Sequence, residues 1–312
     1  MLLHNAERTM AMTLLPWSHP CSAGFTLRGW HSEPTGKPLL HFMHGNGFCG
    51  RTYEPMLAVL SDYFDLWLSD VQGHGSSDVG RRFIGWNQSA ELAVEAFELK
   101  RLLFGDVPCV AVGHSFGGVL TGLMLAEHPT LFQRAVLLDP VLFSPTMIGI
   151  MALSDVVGLY RRNRLAGRAR RRRRQWPDRE AAMASLQGRG MFAGWDEAAL
   201  GAYVNHALRD GAAGGVELCC PPEREAEIFS SFPRKLWPAL AKVKTPTQVI
   251  VGEHSYPFVA KAVTRWRTRN DHVSHVTMRG GHCFMQQYPE QTALGIANFL
   301  LEKSVAAIGP RA

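Results

Sequence analysis

The sequence predicts an α/β fold: a mostly parallel central sheet with helices on both faces and a helical cap inserted between two strands. Three observations carry this. Short apolar runs alternate with helical patterns along most of the chain. Glycine-rich turns directly follow several of those runs. The alternation stops between Val141 and about Trp237, then resumes with further strands and helices.

Leu39–His44 reads as a strand, Thr52–Leu60 as a helix and Phe64–Asp70 as the next strand. Ser89–Phe104 has the spacing of a long amphipathic helix. Cys109–Gly113 is an apolar strand running into Ser115, followed by a helix over Gly118–Glu127 that Pro129 stops. Ala135–Asp139 is another strand. After the interruption come the strand Gln248–Gly252, the helix Phe258–Arg267, the strand His275–Met278 and a last helix, Glu290–Glu302. The expected division is a core domain over 1–140 and 238–312, with a cap over 141–237 that is too long for a plain loop.

With 312 residues, 46% hydrophobic and 19% charged, the chain can bury a substantial core and does not read as disordered. The formal charge of +6 invites a nucleic-acid reading, but its location argues against one. Ten Arg and one Asp between Arg161 and Arg179 give that segment +9, leaving −3 for the rest. The run Arg161–Arg174 reads first as a solvated helical face. Its sharper readings are attraction of anionic substrates or weak association with an anionic membrane surface. The six Cys show neither disulfide nor zinc spacing, and no stretch approaches the roughly 20 apolar residues of a membrane span. A cytoplasmic protein without metal or organic cofactor is expected.

Gly113-His114-Ser115-Phe116-Gly117 fits G-x-S-x-G between a strand and a helix. An abrupt turn there leaves the Ser hydroxyl exposed on a strained backbone, with free helix N–H groups aimed at it. Further motifs follow strands in order: His44-Gly45-Asn46-Gly47-Phe48, then Asp70-Val71-Gln72-Gly73-His74-Gly75, and late in the chain Gly280-Gly281-His282. Together, from about Phe25 to Lys303, they resemble the α/β-hydrolase superfamily.

That resemblance implies a serine hydrolase acting on a small, apolar acyl or ester substrate through an acyl-enzyme. Ser115 would be the nucleophile and His282 the base, with the backbone N–H groups of Asn46 and Phe116 as the oxyanion hole. His44 is expected to brace its loop, and Asp70, His74 and Asp78 to serve turns rather than chemistry. His254, His272 and His275 do not sit in the matching loop. The acid departs from the pattern: where most members carry Asp, three residues after Gly252, this chain has Ser255. Asp139, at a strand end used by a subset of the family, and Glu253 are the two candidates. Gln72 replaces a frequent Arg, so that corner is expected to be held differently. The aromatics Trp176, Phe192, Trp195 and Tyr203 would either pack the cap or line an acyl site. Dehalogenases and epoxide hydrolases need an Asp nucleophile; a carbon–carbon bond hydrolase and a non-catalytic binding protein on the same fold stay open.

Overall fold

The computed structural model describes residues 12–156 and 163–302, so the start of the arginine run, Arg161 and Arg162, lies outside the described residues. Its strands in chain order are β1 (Leu15–Pro20), β2 (Thr26–His31), β3 (Leu39–Met43), β4 (Asp65–Asp70), β5 (Cys109–His114) and β6 (Arg134–Leu138). Three short strands follow, β7 (Gln175–Trp176), β8 (Leu208–Asp210) and β9 (Val216–Leu218), before β10 (Thr247–Gly252) and β11 (Val273–Met278). The helices are α1 (Glu54–Leu60), α2 (Trp86–Lys100), α3 (Phe116–Glu127), α4 (Pro145–Val156), α5 (Arg164–Arg170) and α6 (Arg179–Leu186). After them come α7 (Glu197–His206), α8 (Pro222–Phe229), α9 (Leu236–Leu240), α10 (Pro257–Arg267), α11 (Phe284–Gln287) and α12 (Pro289–Leu301).

Eight strands form one sheet in the order β1-β2-β4-β3-β5-β6-β10-β11. All neighbours from β4 to β11 run parallel; only β1–β2 and β2–β4 are antiparallel. The centre is covered on both faces, so β3, β4 and β5 are buried at every position. This is why they read as continuous apolar runs rather than alternating ones. One face packs Phe97 of α2, Leu123 of α3 and Trp266 of α10; the other packs Met56 of α1 and Ile296 of α12. The chain leaves β3 toward β4 and returns to β5 on the opposite side of β3. A crevice therefore opens above the carboxyl ends of β3 and β5, where ligands of such sheets bind.

Two features differ from expectation. Two strands precede the first expected one: β1 and β2 form a hairpin whose Trp17, His19, Leu27 and Gly29 face inward. Interleaved Pro, Ser, His and Arg hide its alternation in the sequence. The segment between β6 and β10, expected to be a helical cap, also contains an antiparallel sheet in the order β7-β9-β8. Its strands of two or three residues are too short for any periodicity to register, and Gly211–Gly215 is the turn joining β8 to β9.

The turn between β5 and α3 leaves no room for side chains on its inner side. A Cβ on Gly117 would lie 2.4 Å from the backbone oxygens of both Met43 and His44. Neither oxygen can move without breaking β3, so Gly117→Ala is expected to destabilise the fold by about 3 kcal/mol or more. Urea denaturation checks this; an unchanged midpoint would contradict the packing described.

Candidate active site

At the pivot of that turn Ser115 adopts φ 54° and ψ −113°, a conformation that costs a non-glycine residue on the order of 1–3 kcal/mol. Its N–H donates to Leu138 O at 2.9 Å, tying the turn to the end of β6. Just beyond that end Asp139 also has a positive φ, 45°, and its side chain is fully buried. Strain thus falls on the two residues that the ends of β5 and β6 point into one space.

The loop after β11 returns His282 to this space. His282 Nε2 is 2.9 Å from Ser115 Oγ, and its Nδ1 is 2.5 Å from Asp139 Oδ2. A carboxylate only accepts, so the network assigns the ring proton to Nδ1 and leaves the Nε2 lone pair facing the Ser115 hydroxyl. Asp139 Oδ1 accepts the Gly252 N–H at 3.1 Å, and Oδ2 also accepts from the Ser255 hydroxyl. Ser255, standing where the resemblance puts an acid, is therefore a donor to the carboxylate on the neighbouring strand. Glu253 is exposed, and its backbone N–H bonds Met278 O. The Tyr256 ring packs at a tilt against His282, with centroids 4.9 Å apart.

The turn after β3 is braced by neutral imidazoles. His44 Nδ1–H donates to Gly45 O at 2.8 Å, and its Nε2 accepts the Val71 N–H at 3.0 Å. His74 Nδ1–H donates to Gln72 O, and its Nε2 accepts the Gly47 N–H. Asn46 donates from its side chain to Glu225 O of α8. Phe116, first residue of α3, has a backbone N–H without an intrahelical acceptor. Its ring is held edge-on by Trp86.

Sequence reading missed a relay beneath the site. Gly45 N–H donates to Tyr53 Oη (3.0 Å), Tyr53 O–H donates to His114 Nδ1 (2.7 Å), and His114 Nε2–H donates to the backbone oxygen of His282 (3.0 Å). This chain links the His44–Phe48 turn to the His282 loop. His114 occupies an unspecified position of G-x-S-x-G and Tyr53 lies in no motif, so no local pattern marks the pair. The corner at Gln72 is also held from an unforeseen direction. Gln72 bonds Val79 O, Arg82 O and the Ile84 N–H, while Arg224 of α8 donates to Val79 O and Arg81 O. The guanidinium comes from the inserted segment. Trp195 and Tyr203 pack on Phe48, and Phe192 packs on both of them, so the three chiefly join the inserted segment to the core.

Burial pushes the His41 imidazole down to about 3 and that of His44 to about 4, the latter against the Gly45 carbonyl. Burial likewise holds His74 and His114 well below their ordinary range, helped by neighbouring imidazoles. Asp70 moves oppositely, raised by burial to about 7 despite N–H donors from Gly50 and Ser76. Below pH 6.5 the four histidines take up protons only when unfolded, which favours unfolding as pH falls. Asp70 keeps its proton when folded up to about pH 7 but loses it above 3.8 when unfolded, which favours folding as pH falls. Four groups outweigh one. Each is worth up to about 1.4 kcal/mol per pH unit, so stability should drop by several kcal/mol between pH 7 and 5. Urea midpoints measured across that window check the sign; a flat or rising trend on acidification contradicts it.

Among the described residues no group of three or more His, Cys, Asp or Glu is placed to hold a metal ion, and no helix is long and apolar enough to cross a membrane. A sequence model of the alpha/beta hydrolase family matches residues 42–293. Mouse (Mus musculus) monoglyceride lipase is 31% identical over 38% of this chain and 39% of its own length. A type I acyl-CoA thioesterase of Penicillium roqueforti is 27% identical over 58% of this chain and 42% of its own. The chain thus spans about two fifths of either protein. The 2-(acetamidomethylene)succinate hydrolase of Mesorhizobium japonicum is 27% identical over 86% of this chain and 90% of its own. A crystal structure of E-2-(acetamidomethylene)succinate hydrolase superposes with a TM-score of 0.74 at 23% identity, covering 92% of this chain and 99% of that one.

Proposed function

The chain belongs to the alpha/beta hydrolase family, and on that premise we propose that it hydrolyses a carboxylic ester or thioester through an acyl-enzyme on Ser115. One observation carries the reading: Ser115 Oγ, His282 and Asp139 form an unbroken hydrogen-bonded chain at the crevice of the sheet. Ser115 Oγ attacks the carbonyl carbon while its proton passes to His282 Nε2. The resulting imidazolium is stabilised by Asp139 through Nδ1. The tetrahedral oxyanion is held by the backbone N–H groups of Asn46 and Phe116, donors placed before the charge develops. Collapse breaks the bond to the leaving alcohol or thiol, which takes the proton from His282. Water then repeats the sequence on the acyl-enzyme, releasing the acid and restoring Ser115.

The segment 141–237 acts as the roof of this site and carries its specificity. The relatives' names, a monoglyceride lipase and an acyl-CoA thioesterase, support an acyl substrate without choosing among esters. All six cysteines are free and buried, which supports a reducing compartment such as the cytoplasm. A fluorophosphonate probe tests the reading. Wild type should be labelled covalently and Ser115→Ala should not; an unlabelled wild type would favour a non-catalytic binding protein.

A further inference from the structure

The inserted segment opens a groove of about 490 Å³ between α5, α8 and the turn around Gly190. Four guanidinium groups line it, from Arg168, Arg172, Arg173 and Arg189, beside apolar surface from Trp176 and Phe192. Glu225 is the one carboxylate among its described lining residues, and Arg172 Nη1 holds it at 2.6 Å. Tyr203 Oη accepts from the other arm of Arg172 at 2.9 Å. Burial opposes the charge on Arg172, but Tyr203 and Glu225 outweigh it and keep the guanidinium protonated. With Glu225 neutralised, the groove presents the remaining three cations to whatever enters it. Arg168, Arg173 and Arg189 are exposed, so their charge is not cancelled by packing.

The groove reaches the turn beside the reacting centre. A Cβ on Gly47 would lie 3.2 Å from Glu225 Cδ and 3.4 Å from Arg172 Nη1, so its inner wall touches the turn that carries Asn46. Arginines that served only as a solvated face would have no cavity between them and no contact with the Gly47 turn.

We propose that this groove binds the anionic part of the substrate, so that the enzyme's acyl donors carry phosphate or carboxylate oxygens beside an apolar chain. Guanidinium groups suit either anion through paired N–H donors. The inference rests on the Ser115 reading above and names the substrate class for it.

Matched substrate pairs test it. Butyryl-coenzyme A and the butyryl thioester of N-acetylcysteamine share the acyl group and the thioester but differ in phosphates on the leaving side. The p-nitrophenyl esters of succinate and butyrate differ in a carboxylate on the acyl side. In at least one pair the anionic member should show about tenfold or higher kcat/KM, mainly through KM, and lose the advantage at about 0.5 M salt. The responding pair identifies the anion. Arg168→Ala combined with Arg189→Ala should bring that ratio toward one; both side chains are exposed, so the variant folds. Equal rates within both pairs, with Ser115 still labelled by fluorophosphonate, overturn the groove and leave the hydrolase reading standing. Binding to phosphatidylglycerol vesicles without any charge preference among substrates gives the arginines to a lipid surface and also overturns it. No labelling and no turnover of any of the four compounds overturns the hydrolase reading and takes the groove with it.

Discussion

Replacing Ser115 by Ala should lower kcat by a factor on the order of 10⁶ while leaving the fold in place. The size follows from what the hydroxyl alone does. Without Oγ no covalent bond can form, and His282 Nε2 faces a methyl group with no proton to take. The oxyanion donors and the groove remain, so turnover would stay on the order of 10³-fold above that in water. Folding is insulated because the left-handed backbone of Ser115 is imposed by the 2.9 Å bond to Leu138 O and by α3, neither of which involves the side chain. The free energy of unfolding should change by less than about 1 kcal/mol. His282→Ala should cost nearly as much, and the double variant little more than either single one, since the two act as one unit. Steady-state turnover of a reactive ester reads all three; a Ser115→Ala enzyme within tenfold of wild type would remove the nucleophile from the scheme.

The centre of the sheet was legible because burial on both faces demands uninterrupted apolar runs, and β3, β4 and β5 supply them. Ser115 and His282 were legible for a different reason: each sits in a turn that needs glycine at fixed offsets. At Gly117 the reason is the approach of the Met43 and His44 carbonyls. The β1–β2 hairpin was not legible, because Pro16, Ser18, Pro20, Thr26 and Arg28 interrupt its few inward apolar positions. Nor was the relay from Gly45 through Tyr53 and His114 to His282, whose members lie far apart in the chain and meet only after β3, β5 and the last loop assemble. Arg224 at the Gln72 corner is a similar case: the turn's polar atoms needed donors, but nothing local said that α8 would bring them. Short-range patterns report local backbone demands. Contacts made by the inserted segment depend on how it docks, which no local pattern encodes.

On the proposed mechanism Asp139 is the acid that orients His282. Asp139→Asn should reduce kcat by about 10⁴, whereas Glu253→Gln should leave it nearly unchanged. The amide would present an N–H₂ or a weaker acceptor to His282 Nδ1. The N–H₂ face favours the tautomer with its proton on Nε2, which cannot accept from Ser115, and the oxygen face keeps the proton on Nδ1 but holds it with an uncharged acceptor. The loss is larger than that of one hydrogen bond because the imidazolium formed during attack also loses its counter-charge in a buried setting. Asp139 makes three side-chain contacts: His282, the Gly252 N–H and the Ser255 hydroxyl. The last two come from the end of β10, the strand hydrogen-bonded to β6, and from the turn that follows it. The position with Ser255 and the position with Asp139 are thus partners across one strand pair, and a carboxylate at either end could meet the same ring. Asp139→Asn combined with Ser255→Asp should accordingly recover part of the lost turnover, whereas Asp139→Asn combined with Ser255→Ala should not. A double variant with Ser255→Asp as slow as Asp139→Asn alone would mean that the left-handed backbone at Asp139, and not only its charge, sets the direction from which His282 must be held.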